Sequence, residues 1–361
     1  MDLKISTPGR VCLFGEHQDY LQLPVIPCAI SLRIAMDGEK RNDNNVNINL
    51  PDIDSAESFV LNGKLHYEQE RDYFKSVVNV MIKHGFSFSK GFDCTVKGNI
   101  PINSGTSSSS ALIVTWVNFL SRMSDQTKIL SDETIAKYAH EAEVLEFNEP
   151  GGMMDHYSTA LGGVIYLSFH PQISIEKFPD NLKTFVLGDS GEPKDTKFIL
   201  ARVKNQIVEV VKKLRETHKD FSLQTATLDT IESYSSELTE EQIDLLKGTI
   251  INRDITFEAR EELLKEKIDD VYIGKLLNKH QGILRDTLQI STPKIDRMIK
   301  AALEAGAVGA KINGSGGGGC MFAYAPNNPE AVAKAIEEAG GKAFIVQPDS
   351  GTKAEKIEKA A

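Results

Sequence analysis

Apolar residues at Tyr73, Val77, Val80 and Met81 recur at helical intervals, and the spacing predicts a helix over 72–84. Upstream of it, residues 4–14 and 25–34 read as extended segments joined by a turn-rich stretch over 15–24. Short strands are expected at 46–50, 59–61 and 91–97. A loop over 98–106 leads into a buried helix at 107–123, and an amphipathic helix follows at 134–146. Strands are expected at 162–169 and 184–188.

The pattern changes in the second half. Residues 197–219 and much of 239–267 carry long helical spacing, as do 273–288 and 293–305. Strands at 309–312 and 320–325 flank a glycine cluster, and a helix at 329–339 precedes a last strand at 342–346. No internal repeat of fixed period is visible. The charged stretch 237–267 reads as a solvated helical face. The shift in composition places a boundary near residue 180, giving units of 1–180 and 181–361, and the length of 361 residues suits two domains of roughly 150 residues or more. The polar tail 349–361 is expected to fray.

Composition narrows the function classes. The 41 basic and 51 acidic side chains leave a net charge of −10, a poor match to non-specific nucleic-acid or anionic-membrane binding. An anionic ligand held by local amides and a few cations stays compatible with that balance. Cys12, Cys28, Cys94 and Cys320 are far apart and form no C-x-x-C pair, which argues against a zinc site or a disulfide framework. No apolar run approaches the roughly 20 residues that span a bilayer. The first ten residues lack the apolar core of a signal peptide. A cytoplasmic enzyme, monomeric or weakly homo-oligomeric, is expected.

The stretch PINSGTSSSSA at 101–111 carries the most chemistry. It lies between an expected strand and an expected helix, where small residues let a ligand approach the backbone. The first amides of a helix are unpaired and point outward, and the helix dipole adds partial positive charge there. Hydroxyls of Ser107, Ser108, Ser109 and Ser110 suit phosphate oxygens or magnesium. It is not a Walker loop, because no G-K-[ST] follows. The plainer reading is a serine-rich segment that caps a helix.

Three segments together resemble the GHMP kinases, the superfamily of galactokinase, homoserine kinase, mevalonate kinase and phosphomevalonate kinase. The first, TPGRVCLFGEHQDY at 7–20, is similar to the galactokinase signature in particular. The second is the serine loop, with Thr106 where a leucine is usual. The third, GSGGGGC at 314–320, resembles the superfamily's C-terminal glycine loop. A fourth, EVLEFNEPGGMMD at 143–155, keeps the galactokinase spacing of 12 positions from Glu143 to Asp155, with Gly151 where a cysteine is common.

The resemblance implies a two-domain α+β fold. Its N-terminal domain is related to a ribosomal-protein fold, its C-terminal domain is ferredoxin-like, and ATP lies between them. It implies that Asp155 accepts or orients the proton of the acceptor hydroxyl and that Arg10 sits beside it. Ser109 and Glu143 are then the magnesium ligands. Asn103, Ser104, Gly105, Thr106, Ser107, Ser108 and Ser109 cradle the triphosphate. Gly316 and Gly317 allow close approach to the nucleotide or the lid of the site. Glu16, His17 and Asp19 read sugar hydroxyls, and the Gly152 amide orients the sugar. His156 is expected to pack or hydrogen-bond. The usual sugar-contacting tyrosine is missing near Phe198. Galactose therefore leads a set that includes N-acetylated galactose, galacturonate, L-fucose and L-arabinose. The alternatives are a mevalonate-type kinase, disfavoured by Glu16-His17-x-Asp19 and the long Glu143–Asp155 spacing, and a catalytically silent sensor of ATP and sugar.

Overall fold

The computed structural model describes residues 2–102, 104–193 and 196–357. The chain opens with a hairpin of two long strands, β1 (Asp2–Phe14) and β2 (Ile26–Lys40). With β3 (Asn45–Leu50), β4 (Ser55–Val60) and β5 (Phe92–Gly98) they build most of a six-stranded sheet. Four helices cover one face of it: α1 (Tyr73–Lys83), α2 (Ser108–Met123), α3 (Asp132–His140) and α4 (Met154–Leu161). Trp116, Phe92 and Phe119 are buried in the core between them. The indole N–H of Trp116 donates to the Phe74 carbonyl at 3.0 Å, so even the core's polar atom is satisfied.

A two-stranded ribbon, β6 (Ile165–Ser168) with β7 (Ser174–Lys177), leads to β8 (Phe185–Asp189). Five helices follow: α5 (Thr196–Thr217), α6 (Leu228–Ser233), α7 (Glu240–Leu263), α8 (Asp270–Gly282) and α9 (Pro293–Glu304). Strands β9 (Gly309–Ile312) and β10 (Cys320–Tyr324), helix α10 (Pro329–Glu338) and strand β11 (Lys342–Val346) complete a four-stranded antiparallel sheet of order β11-β8-β10-β9. Val11, Leu13 and Phe14 of β1 share a buried cluster with Phe185, Phe322 and Tyr324 of this second sheet. That explains why β1 is buried continuously from Pro8 to Phe14 instead of alternating: it is covered on both faces.

The segment expected to fray, 349–361, is described as far as residue 357 and holds a strand there. Strand β12 (Lys353–Ile357) pairs antiparallel with Asp2–Ser6 and forms the edge of the first sheet, crossing back over the expected boundary near 180. Backbone pairing drives this, since its side chains are mostly polar. Among the described residues no helix is long and apolar enough to cross a membrane.

Candidate active site

Where the two halves meet, an open cleft is lined by Arg10, the turn after β1, the start of α2, the segment before α4 and the glycine loop. At its centre, Arg10 Nε and Nη2 donate to the two carboxylate oxygens of Asp155, each at 2.8 Å. Its third nitrogen donates to the Gly105 carbonyl. The guanidinium side chain is 4% exposed and the carboxylate 30%, so Asp155 faces the cleft and Arg10 backs it. Burial pushes the Asp155 carboxyl up, but the Arg10 charge and the hydrogen bonds from Arg10, with the Ser107 hydroxyl nearby, outweigh it and hold the group below the usual carboxylate range. Arg10 is raised: burial lowers it, and Asp155 and Glu16 more than offset that.

Helix α3 widens into one π turn at Glu141–Leu145, a feature common at functional sites. Within it, buried Glu143 Oε2 accepts from Ser110 Oγ and His156 Nε2, both at 2.7 Å. Burial would raise this carboxyl, yet His156 and the Ser109 and Ser110 hydroxyls hold it lowered. An anionic oxygen ligand beside serine hydroxyls and Asp155 fits a hard cation such as magnesium, which takes one or two protein oxygens and completes its shell with phosphates and water. Ser107, at the N-cap of α2, is left-handed with φ 61°. His17 and Arg71, which also line the cleft, have φ 62° and 59°. Such outliers in bulky residues concentrate at functional sites.

The turn after β1 supplies the cleft's acidic end. Asp19 Oδ2 accepts from the Met154 amide at 3.1 Å and Oδ1 from the Tyr20 amide at 2.9 Å. Burial, with Asp155 and Glu16 nearby, pushes its carboxyl up to about 6. Gly152 lies against it, and a Cβ there would overlap the Asp19 carboxylate. Glu16 is buried, its Oε2 2.8 Å from Lys311 Nζ. His17 Nε2 donates to the Ser315 carbonyl at 3.1 Å, which leaves Nδ1 to accept from the Tyr20 hydroxyl at 2.9 Å. Burial lowers its pKa, in keeping with this neutral tautomer.

The structure brings together Arg10, Glu16, His17, Asp19, Gly105, Ser107, Ser108, Ser109, Glu143, Gly152 and Asp155. Other expected residues stand differently around the cleft. The Ser104 hydroxyl donates to the Pro101 carbonyl at 2.8 Å and lies 2.9 Å from the Thr106 hydroxyl, so both hydroxyls brace the loop from within. Gly316 and Gly317 pack against Ile290 and Ile199, and Gly314 and Ser315 line the cleft instead. His17 spends both ring nitrogens within the protein. From the segment around Phe198, Leu200 lines the cleft while Phe198 is 65% exposed. Asn103 lies outside the described residues. Sequence reasoning missed Lys311, Asn313 and the Arg71–Glu149 ion pair at 2.6 Å. The last could have been suspected only from Glu149 lying inside the 143–155 motif. Sequence reasoning also offered no signal that His156 orients Glu143.

Comparison with known proteins agrees with this geometry. Residues 72–163 match the GHMP kinases N terminal domain and 259–343 the GHMP kinases C terminal domain. Residues 3–38 match the galactokinase galactose-binding signature. A mevalonate kinase of Pyrococcus abyssi is 30% identical over 95% of this chain and 94% of its own. A galactokinase of Haemophilus influenzae is 29% identical over 93% of this chain and 89% of its own. The crystal structure of Lactococcus lactis galactokinase complexed with galactose superposes with a TM-score of 0.86 at 21% identity, covering 98% of this chain and 95% of that one.

Proposed function

The chain belongs to the GHMP kinases, ATP-dependent phosphotransferases acting on hydroxyl groups, with their two-domain fold, and we propose that its acceptor is the anomeric hydroxyl of a neutral sugar, galactose foremost. The product would be a sugar 1-phosphate. One observation carries this reading: the acceptor end of the cleft presents Glu16, Asp19 and Asp155, and the arginines lining the cleft are already paired, Arg10 with Asp155 and Arg71 with Glu149. Carboxylates accept hydrogen bonds from adjacent sugar hydroxyls. A carboxylate-bearing acceptor, whether mevalonate or a uronic acid, would meet like charge without an unpaired arginine to receive it. The match of residues 3–38 to the galactose-binding signature supports the same assignment. The near-equal identities to a mevalonate kinase and a galactokinase do not discriminate, because they reflect the shared scaffold.

In this reading the protein works mainly by positioning and by charge. Asp155, held ionised by Arg10, accepts a hydrogen bond from the reacting hydroxyl and aims its oxygen. Its lowered pKa makes it a weak base, so the proton leaves late, as the new phosphorus–oxygen bond forms. Arg10, behind Asp155, lends positive charge to the side of the cleft where charge develops on the transferring group. The first amides of α2, from Ser108 onward, receive phosphate oxygens. Glu143 and Ser109 would hold magnesium, which would neutralise the nucleotide's phosphates. Asp19 and Glu16 fix the sugar's remaining hydroxyls.

The test is ADP release with a panel of neutral sugars, galacturonate and mevalonate, followed by NMR location of the phosphate. Turnover of a neutral sugar with phosphate on the anomeric carbon supports the proposal. Turnover of mevalonate alone overturns it.

A further inference from the structure

The two halves of the cleft are built on remote segments, yet side chains from one strand end reach both. Lys311 in β9 and Asn313 just beyond it stand two residues apart along an extended chain, so they leave the same face. Asn313 Nδ2 donates to the Gly105 carbonyl in the phosphate loop at 2.8 Å, and its Oδ1 accepts from the Cys12 amide at 2.9 Å. Lys311 Nζ donates to the Cys12 carbonyl at 2.9 Å and to Glu16 Oε2 at 2.8 Å. Both side chains are fully buried. Cys12 lies opposite Pro27, which has no N–H to offer, and beside a register shift between β1 and β2. Its backbone groups are thus held by the second sheet's side chains.

The surroundings are built for this contact. Gly314, at φ 78°, sits where a Cβ would crowd the Gly105 carbonyl at 2.9 Å, and a Cβ at Gly9 would meet the Thr106 carbonyl at 2.9 Å. The Cys320 amide donates to the Ser104 carbonyl at 2.7 Å. Strand β1, the phosphate loop and the glycine loop therefore meet at one point, with Asn313 between them.

We propose that Lys311 and Asn313 are positioning residues, a bracket that holds the acceptor-reading turn at Glu16 and the phosphate loop at Gly105 in one fixed relation. The proposal rests on the reading above that this turn contacts the acceptor. Neither side chain lines the cleft; each acts through a group that does. Their effect is on alignment: each half-site binds its own ligand, and the bracket sets the line between hydroxyl and phosphate. A shift of about 1 Å in such a line costs on the order of 100-fold in rate.

Asn313 provides the discriminating variants because it carries no charge. Asn313→Asp keeps the acceptor for the Cys12 amide and loses the donor to Gly105, with Lys311 close by to offset the added charge. Asn313→Leu removes both bonds at similar volume. Turnover is measured with whichever acceptor the wild type uses, mevalonate included, so that failure of the sugar reading leaves this test standing. Calorimetry with ADP alone and with acceptor alone gives the separate affinities, and a thermal melt confirms folding. The expected result is a kcat about 30-fold or more below wild type, with both dissociation constants within about threefold. A folded Asn313→Asp or Asn313→Leu with near wild-type kcat overturns the proposal. So does a loss seen only in melting temperature or nucleotide affinity.

Discussion

Asp155 and Asp19 are carboxylates of one cleft with opposite electrostatic settings, and their variants should behave differently. Asp155 is held ionised by a fork of hydrogen bonds from Arg10. Asp155→Asn should lower kcat by about 1000-fold or more while ADP affinity, read by calorimetry, stays within about threefold, because the phosphate contacts lie on α2. Asp19, with its carboxyl near pH 6, accepts sugar hydroxyls fully only when ionised. The sugar KM should therefore rise as pH falls below 6, by about tenfold per unit, with less change in the KM for ATP. The sign for stability is the reverse. A carboxyl whose folded pKa is raised lends stability below its unfolded value of 3.8 and loses it as pH rises through 6. Asp19→Asn should melt higher than wild type at pH 8, with the gain vanishing near pH 4, and should bind sugar poorly at both.

At the scale of elements, the site depends on irregularities that periodicity conceals. The strands β1, β2, β3 and β5 and helices α1, α2, α5 and α7 were legible because apolar runs or apolar spacing of helical or strand period mark them. The helix α4, which carries Asp155, was not, because a glycine pair and Met153 precede it and its eight residues give barely two turns. The π turn holding Glu143 was read as plain helix, since one wider turn leaves the apolar spacing almost unchanged. Strand β12 escaped because Lys353, Glu355 and Lys356 read as a solvated tail, and an edge strand needs only backbone pairing. Lys311 escaped for another reason: a lysine in a short strand suggests exposure, and its partner Glu16 lies 295 positions away. Arg10, Asp155 and Glu143 were accessible only through motif resemblance, since nothing local joins residues so far apart. The segment before α4 also makes a prediction. Gly152→Ala would push the Asp19 carboxylate aside, so the sugar KM should rise about tenfold or more with ADP affinity unchanged.

For the whole molecule, the chain's last strand and first strand close one sheet, and the core shared by β1 and β10 joins the halves around the cleft. Arg33 fastens this return, donating to Ser6 Oγ, the Ser6 carbonyl, Asp349 Oδ2 and the carbonyls of Ser350 and Gly351. Arg33→Met should cost about 2 kcal/mol in urea unfolding, the scale of charged hydrogen bonds, with kcat unchanged. The account as a whole stands on the cleft's acidic acceptor end choosing a neutral polyol over an acid. Its most direct test is competition: galactose and mevalonate at equal concentration, labelled ATP with magnesium, and the two products counted, which reads the ratio of kcat/KM for the pair. The account predicts that label accumulates as a sugar 1-phosphate with little phosphomevalonate. Label accumulating in phosphomevalonate instead would contradict it.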